Sequence, residues 1–134
     1  KILGMIGLAP APDFPKILIW DKMTSDEKRK LINNKKITIK YEDGSKNDFS
    51  YILIKDSFRN LTLSENIYFN GPVYLYHGMA DKAVPYDLSI KIINTFKGTN
   101  DIKLLLEKDA GHRLSEVHQL TNITNIIEEI VMKI

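Results

Sequence analysis

Two short polar stretches hold the residues best suited to chemistry: HGMADKAVP at 77–85 and KDAGHRLS at 108–115. Asp81 supplies a carboxylate in the first, and His112 an imidazole in the second. A carboxylate within reach of an imidazole fixes its tautomer. It also stabilises the imidazolium that forms during general-base catalysis. Their spacing, 112 − 81 = 31 residues, is about one strand–helix–strand crossover. The same residue types also suit a plainer arrangement, in which Asp81 caps a turn and His112 lies on the surface. Spacing alone leaves both readings open.

The surrounding sequence predicts elements that would bring the two loops together. PVYLYHG (72–78) reads as a buried strand ending in Gly78, and IKLLLEK (102–108) as a second. Between them YDLSIKIINTF (86–96) places Leu88, Ile92 and Phe96 on one helical face. A last helix from about Ser115 is expected to turn Val117, Leu120, Ile127, Ile130 and Ile134 towards a core. Upstream, ILGMIGL (2–8) is apolar on both faces, as a strand buried in a parallel sheet is. Pro10, Pro12 and Pro15 end it, and 13–22 predicts a short helix capped by Asp13. TSDE (24–27) has capping-box spacing and opens a helix to about Asn33. Residues 37–41 and 49–54 alternate around an Asp43-Gly44 turn signal and predict a β-hairpin. A weak helix is expected over 55–63. Strand–helix order implies an α/β fold with about three parallel core strands and right-handed crossovers. In such sheets ligands sit beyond the carboxyl ends of the strands, where both loops fall.

H-G-x-x-D-x-x-V-P at 77–85 followed by G-H-R-L-S at 111–115 resembles the acid and base loops of α/β hydrolases. The order Asp then His is that fold's order for the last two triad members. GMIGLAPAPDF (4–14) resembles the strand and loop after the nucleophile helix. The likeness is to the branch of bacterial α/β hydrolases related to the mitochondrial palmitoyl-protein thioesterase. It covers nearly the whole chain and implies the C-terminal half of such an enzyme. It implies Asp81 as triad acid and His112 as triad base. Residues 13–66 match the segment inserted over the active site, a lid that shapes an acyl pocket. Phe14, Trp20, Tyr51 and Phe58 are candidates to line that pocket, although aromatics at such spacing more often pack a core. His77 reads either as a support for the acid loop or as a packed structural histidine. Arg113 reads as a steering charge for an acidic group or a solvated side chain, and His118 as an exposed helix residue.

The nucleophile of that fold lies in G-x-S-x-G at a sharp strand-to-helix turn. Ser25, Ser45, Ser50, Ser57, Ser64, Ser89 and Ser115 all lack this setting in the sequence. The oxyanion-hole donors that accompany it are missing too. The expectation is therefore a serine-hydrolase portion of the esterase or thioesterase class that is inactive alone. Its ester or thioester substrate would be turned over only with an N-terminal half supplied. A non-catalytic remnant serving as a binding module is the alternative. The first strand would lack its neighbour, so association through its open edge is expected. The chain opens on Lys1 rather than Met, which suggests processing or a start inside a longer polypeptide.

The bulk composition narrows the field further. The 134 residues are 43% hydrophobic and 27% charged, enough for one modest core. Net charge is +2 with both signs interspersed, so no nucleic-acid footprint is present. With no cysteine, thiol catalysis and disulfides are excluded. A reducing compartment is compatible, and a cytoplasmic location is the expectation. No metal-ligand spacing is present, and no cofactor is expected. The nucleotide-binding glycine motifs are absent. No run approaches the ~20 apolar residues of a membrane span.

Overall fold

The computed structural model describes residues 1–40 and 44–134. In chain order, strand β1 (Met5–Leu8) precedes a π-helical turn (Pro15–Ile19) that runs into a 3-10 turn (Trp20–Lys22). Helix α1 (Ser25–Asn34), strands β2 (Lys36–Lys40) and β3 (Lys46–Ser50), and helix α2 (Tyr51–Ser57) follow. Then come β4 (Ile67–Tyr68), β5 (Val73–Gly78), α3 (Asp87–Thr95), β6 (Phe96–Lys97), β7 (Ile102–Glu107) and α4 (Val117–Val131). The chain forms two compact units, one of Lys1–Ala11 with Leu63–Ile134 and the other of Pro12–Thr62.

The first unit is built on a parallel sheet of order β1-β5-β7. Met5 pairs with Val73 and Val73 with Ile102, so all three strands run out at the same edge. β5 is the middle strand of the three, and every one of its residues is buried. β1 lies at the rim of this sheet and alternates between half-buried and exposed residues. Its two-faced apolar sequence reads as a strand buried on both faces. Ile6 and Leu8 are in fact exposed on one face. A two-residue parallel bridge of β4 with β6, unannounced in the sequence, braces the crossover between β5 and β7.

α4 packs in a different phase from the predicted one. Val117, Leu120, Ile127 and Ile134 are exposed, and of the five predicted residues only Ile130 is buried. The inward stripe is Gln119, Ile123, Ile126 and Ile130. Polar groups set this phase. Gln119 donates to Glu107 Oε1 at 2.9 Å, and Asn122 Nδ2 donates to the Tyr76 hydroxyl at 3.4 Å. Apolar residues occur on both faces of α4, so periodicity could not choose between them. The buried Gln119 and the half-buried Asn122 do choose, because leaving a buried amide unpaired costs about 1–3 kcal/mol.

The second unit has its own core of Ile19, Met23, Leu31, Phe49 and Ile54. Thr24 caps α1 in the predicted capping box, and Glu27 returns a carboxylate oxygen to the Thr24 N–H at 2.8 Å. β2 and β3 form the antiparallel hairpin. Residues 41–43, and with them Asp43 of the predicted turn, lie outside the described residues. Gly44 is left-handed with φ 82°. The second predicted strand ends sooner than expected. Ser50 accepts a hydrogen bond from the Leu53 N–H at 3.1 Å, which starts α2 where 49–54 had read as extended. Asp13 does not cap by its side chain. Its backbone carbonyl accepts from the Lys16 and Ile17 N–H groups, and its Oδ1 accepts from the Thr62 N–H. Among the described residues, no helix is long and apolar enough to cross a membrane.

Candidate functional site

β5 and β7 are hydrogen-bonded neighbours along their full length, from Val73↔Ile102 to Gly78↔Glu107. Their exit loops therefore start side by side. They continue in contact because Gly78 lets backbone meet backbone. A Cβ on Gly78 would lie 2.5 Å from the Ala110 carbonyl carbon and 2.8 Å from the Gly111 oxygen, and closer still to the Ala110 oxygen. Two hydrogen bonds stitch the seam. The Met79 N–H donates to Glu107 O at 2.8 Å and the Ala80 N–H to Ala110 O at 3.0 Å.

This seam delivers Asp81 to His112. Asp81 Oδ2 lies 2.8 Å from His112 Nδ1. The Asp81 side chain is fully buried, whereas that of His112 is half exposed. Asp81 Oδ1 accepts from the Ala83 N–H at 2.8 Å and the Val84 N–H at 2.9 Å. Burial pushes the Asp81 carboxyl up. The Val84 N–H, His112 and the Ala83 N–H more than offset this, and hold it below its usual 3.8. An ionised carboxylate accepts hydrogen bonds only, so it selects the Nδ1–H form of His112. That leaves the Nε2 lone pair of a half-exposed ring free to take a proton. The loop of His112 also carries local strain, since Leu114 has φ 46° while packing against Tyr76 and Ala110.

His77, at the buried end of β5, also reaches Asp81. Its Nε2 lies 3.2 Å from Asp81 Oδ2 and 3.0 Å from Val84 O, and its Nδ1 lies 2.6 Å from Ser89 Oγ. The His-Gly strand ending was the only sequence signal for it. Ser89 carried none, because its role depends on which face of α3 turns inward.

A second carboxylate, Glu107 at the end of β7, collects the Tyr76 hydroxyl, Gln119 and His118. The Tyr76 hydroxyl, then Gln119 and His118, hold its carboxyl down to about 2. His118 is exposed, as expected, but it is paired with Glu107 Oε1 at 2.8 Å. Arg113 is exposed in the loop after β7. Among the described residues, no group of three or more His, Asp and Glu side chains could hold a metal ion.

Phe14, Trp20, Tyr51 and Phe58 belong to the Pro12–Thr62 unit. Trp20 and Phe58 meet edge to face with centroids 5.8 Å apart. Lys28 Nζ sits over Trp20 and Lys35 Nζ over Tyr51. Trp20 and Tyr51 pack against that unit's core, while Phe14 and Phe58 are 40% and 43% exposed.

No family model matches the chain. Mitochondrial palmitoyl-protein thioesterase ABHD10 of Homo sapiens is 26% identical over 137 aligned positions. That alignment takes in all of this chain and 44% of the relative. The ABHD10 protein of Rattus norvegicus is also 26% identical, with 45% of its length covered. Among solved structures, a hydrolase candidate from Agrobacterium vitis S4 matches with TM-score 0.90 and 30% identity, over 97% of this chain and 50% of that one. The chain is homologous to α/β hydrolases. Mouse alpha/beta hydrolase domain-containing protein 10 shares the fold at TM-score 0.87 and 23% identity, over 99% of this chain and 53% of its own. The three-stranded parallel sheet with its flanking helices matches the α/β-hydrolase core, and the hairpin-bearing unit matches an insertion into it. The chain spans about half the length of the relatives it matches.

Proposed function

We propose that this chain supplies the acid Asp81 and the base His112 of a serine hydrolase acting on esters or thioesters. Acyl-protein thioesters are the leading substrate class, because the ABHD10 relatives are palmitoyl-protein thioesterases. The observation that carries the reading is the 2.8 Å contact of His112 Nδ1 with a buried, ionised Asp81 at the carboxyl ends of adjacent parallel strands. In the working enzyme His112 Nε2 would take the proton of an attacking serine hydroxyl and then pass it to the leaving group. Asp81 would hold the ring in its Nδ1–H form and balance the imidazolium charge.

The serine itself is outside this chain on this reading. Ser89 Oγ is committed to His77 and fully buried. Ser50 does stand at a strand-to-helix junction, but its φ is −86° and its hydroxyl caps α2. A nucleophile elbow needs a strained backbone and a hydroxyl free to attack, whereas Ser50 has an ordinary extended backbone and a hydroxyl held by the Leu53 N–H. Triad members act as a unit, so an acid and base without nucleophile or oxyanion hole are silent.

The test is complementation. This chain alone should take no label from a fluorophosphonate probe. Mixed with a polypeptide carrying the preceding strands and a G-x-S-x-G elbow, or joined to it in one chain, it should restore labelling and thioester hydrolysis. Absence of labelling in the joined chain would end the hydrolase reading. A second reading, a non-catalytic binding module, draws on the exposed apolar residues beside the β1 rim. Gly4, Met5 and Ile6 with Ile127, Ile130 and Val131 line a shallow apolar cleft there. Stable, stoichiometric complementation without hydrolysis would favour that reading.

A further inference from the structure

Asp81 has more hydrogen-bond donors around it than the orientation of one imidazole requires. Loop amides of Ala83 and Val84 hold Oδ1. Oδ2 faces two rings, His112 Nδ1 at 2.8 Å and His77 Nε2 at 3.2 Å. His77 is fully buried in the middle strand of the sheet, and Ser89 behind it is fully buried on α3.

We infer that His77, with its far nitrogen satisfied by Ser89, is a positioning residue that holds Asp81 Oδ2 in line with His112. The inference rests on the reading of Asp81 and His112 as a hydrolase acid and base. It deepens that reading by adding two residues to the machinery.

Hydrogen placement follows from the acceptors. His77 Nε2 points at the Val84 carbonyl oxygen at 3.0 Å and at a carboxylate oxygen, neither of which carries a hydrogen. Nε2 must therefore be protonated, whatever the charge of the ring. The Ser89 hydroxyl at 2.6 Å fits both ring charges, since it donates to a bare Nδ1 and accepts from a protonated one. A fully buried ring with every polar atom partnered is a rigid part.

The direction of the Oδ2 lone pairs is what this rigidity controls. The two amides fix Oδ1, but Oδ2 could still swing about that anchored end. The His77 N–H removes the swing. It also ties Val84 O to the same nitrogen, so one ring clamps both ends of the Asp81–Val84 loop to β5. Sites held from a strand are more exact than sites held from loops alone. His77 does not reach the reacting atoms on this geometry, and it acts through Asp81.

The experiment is nitrogen-15 NMR of the histidine rings in the full chain. His77 should show a protonated Nε2 wherever Asp81 is ionised. A His77 protonated only at Nδ1 overturns the inference without any variant. Three substitutions then separate positioning from packing. H77Q places an amide N–H close to the Nε2 position. H77L fills similar volume without a donor. H77N keeps a polar group that is too short to reach Asp81. The readout is the share of His112 in the Nδ1–H form, which Asp81 enforces against the Nε2–H preference of a free ring. H77Q should keep that form as the main one, and H77L and H77N should lose it. Equal His112 tautomer populations in all four proteins overturn the inference, as does loss in H77Q alone. Should H77L fail to fold, H77N and H77Q still decide. In a complemented enzyme the expected cost of H77L is about 10–100-fold in activity, the size seen when partners that orient metal-ligating side chains are removed. The loss should fall on kcat, with H77Q restoring most of it. A complemented enzyme that is inactive throughout defeats the hydrolase reading. It leaves the tautomer result to judge His77 independently.

Discussion

The substitution G78A puts a methyl group into the seam that brings Asp81 and His112 together. The added Cβ would stand 2.5 Å from the Ala110 carbonyl carbon, where real Cβ contacts essentially never fall below 3.0 Å. The loops must separate by at least about half an ångström, and the nearer Ala110 oxygen demands more. Neither neighbour can step aside cheaply, because both are backbone and Ala110 O is also the acceptor for the Ala80 N–H at 3.0 Å. The opening falls three residues before Asp81 and two before His112. It therefore adds to their 2.8 Å bond and takes it to the limit at which a hydrogen bond survives. Overpacking of this kind costs about 1–3 kcal/mol. For a chain of this length that lowers the melting midpoint by about 4–11 °C. The functional effect should exceed the stability effect, since a 1 Å misplacement at a catalytic site costs about 10²-fold in rate. Calorimetry gives the first quantity. Nitrogen-15 NMR of His112 gives the second directly, as loss of the Nδ1–H form. A G78A protein that melts within 1 °C of the wild type and keeps that tautomer refutes the reasoning, because the loops would then have had room to spare.

Further outcomes follow from other contacts. In a complemented enzyme, D81N should cut kcat by about four orders of magnitude, because the amide can hold the wrong His112 tautomer. Unchanged turnover would remove Asp81 from the chemistry. Asp81 also sets part of the acid limb of stability. Its folded pKa lies below the unfolded value, so the folded state binds the proton less tightly. Its contribution is fully present above the unfolded value and is lost as pH falls through the folded one. D81N should therefore flatten unfolding free energy against pH between about 5 and the acid transition. An identical slope in both proteins contradicts the assignment. I54A empties a fully buried position in the Pro12–Thr62 core and should cost about 2–5 kcal/mol in denaturant unfolding. The β1 rim should self-associate at high concentration in the absence of a partner. Light scattering should show this in the wild type and its loss in I6K, which puts a charge among exposed apolar residues.

The sheet and the pairing of the two loops were readable in advance for a physical reason. β5 and β7 are strands whose apolar runs have no competing period, and the residues after them are polar and glycine-bearing. Parallel crossovers then leave little freedom about where those loops go. Apart from β1, whose Ile6 and Leu8 face is exposed, the readings that failed concern choices made by hydrogen bonds rather than by hydrophobicity. The phase of α4 depends on Gln119 and Asn122 finding Glu107 and Tyr76, which are distant in sequence. The early start of α2 depends on one serine hydroxyl. The turn at Asp13 depends on a left-handed backbone with φ 61°, where a helix cap had been expected. Ser89 was passed over because only its nucleophilic potential was weighed. Its hydroxyl instead partners a buried ring.

Parallel strands finish at one rim, and this has a consequence for how such proteins diverge. The distance between Asp81 and His112 is fixed by the lateral step from β5 to β7, not by the connection between them. α3, β6 and the turn around Gly98 could lengthen or shorten without moving either side chain, provided the two strands stay adjacent. Descendants of this architecture are therefore free to change the count of residues separating their paired groups. A search for kin by fixed spacing would miss many of them, whereas a search by strand neighbourhood would not.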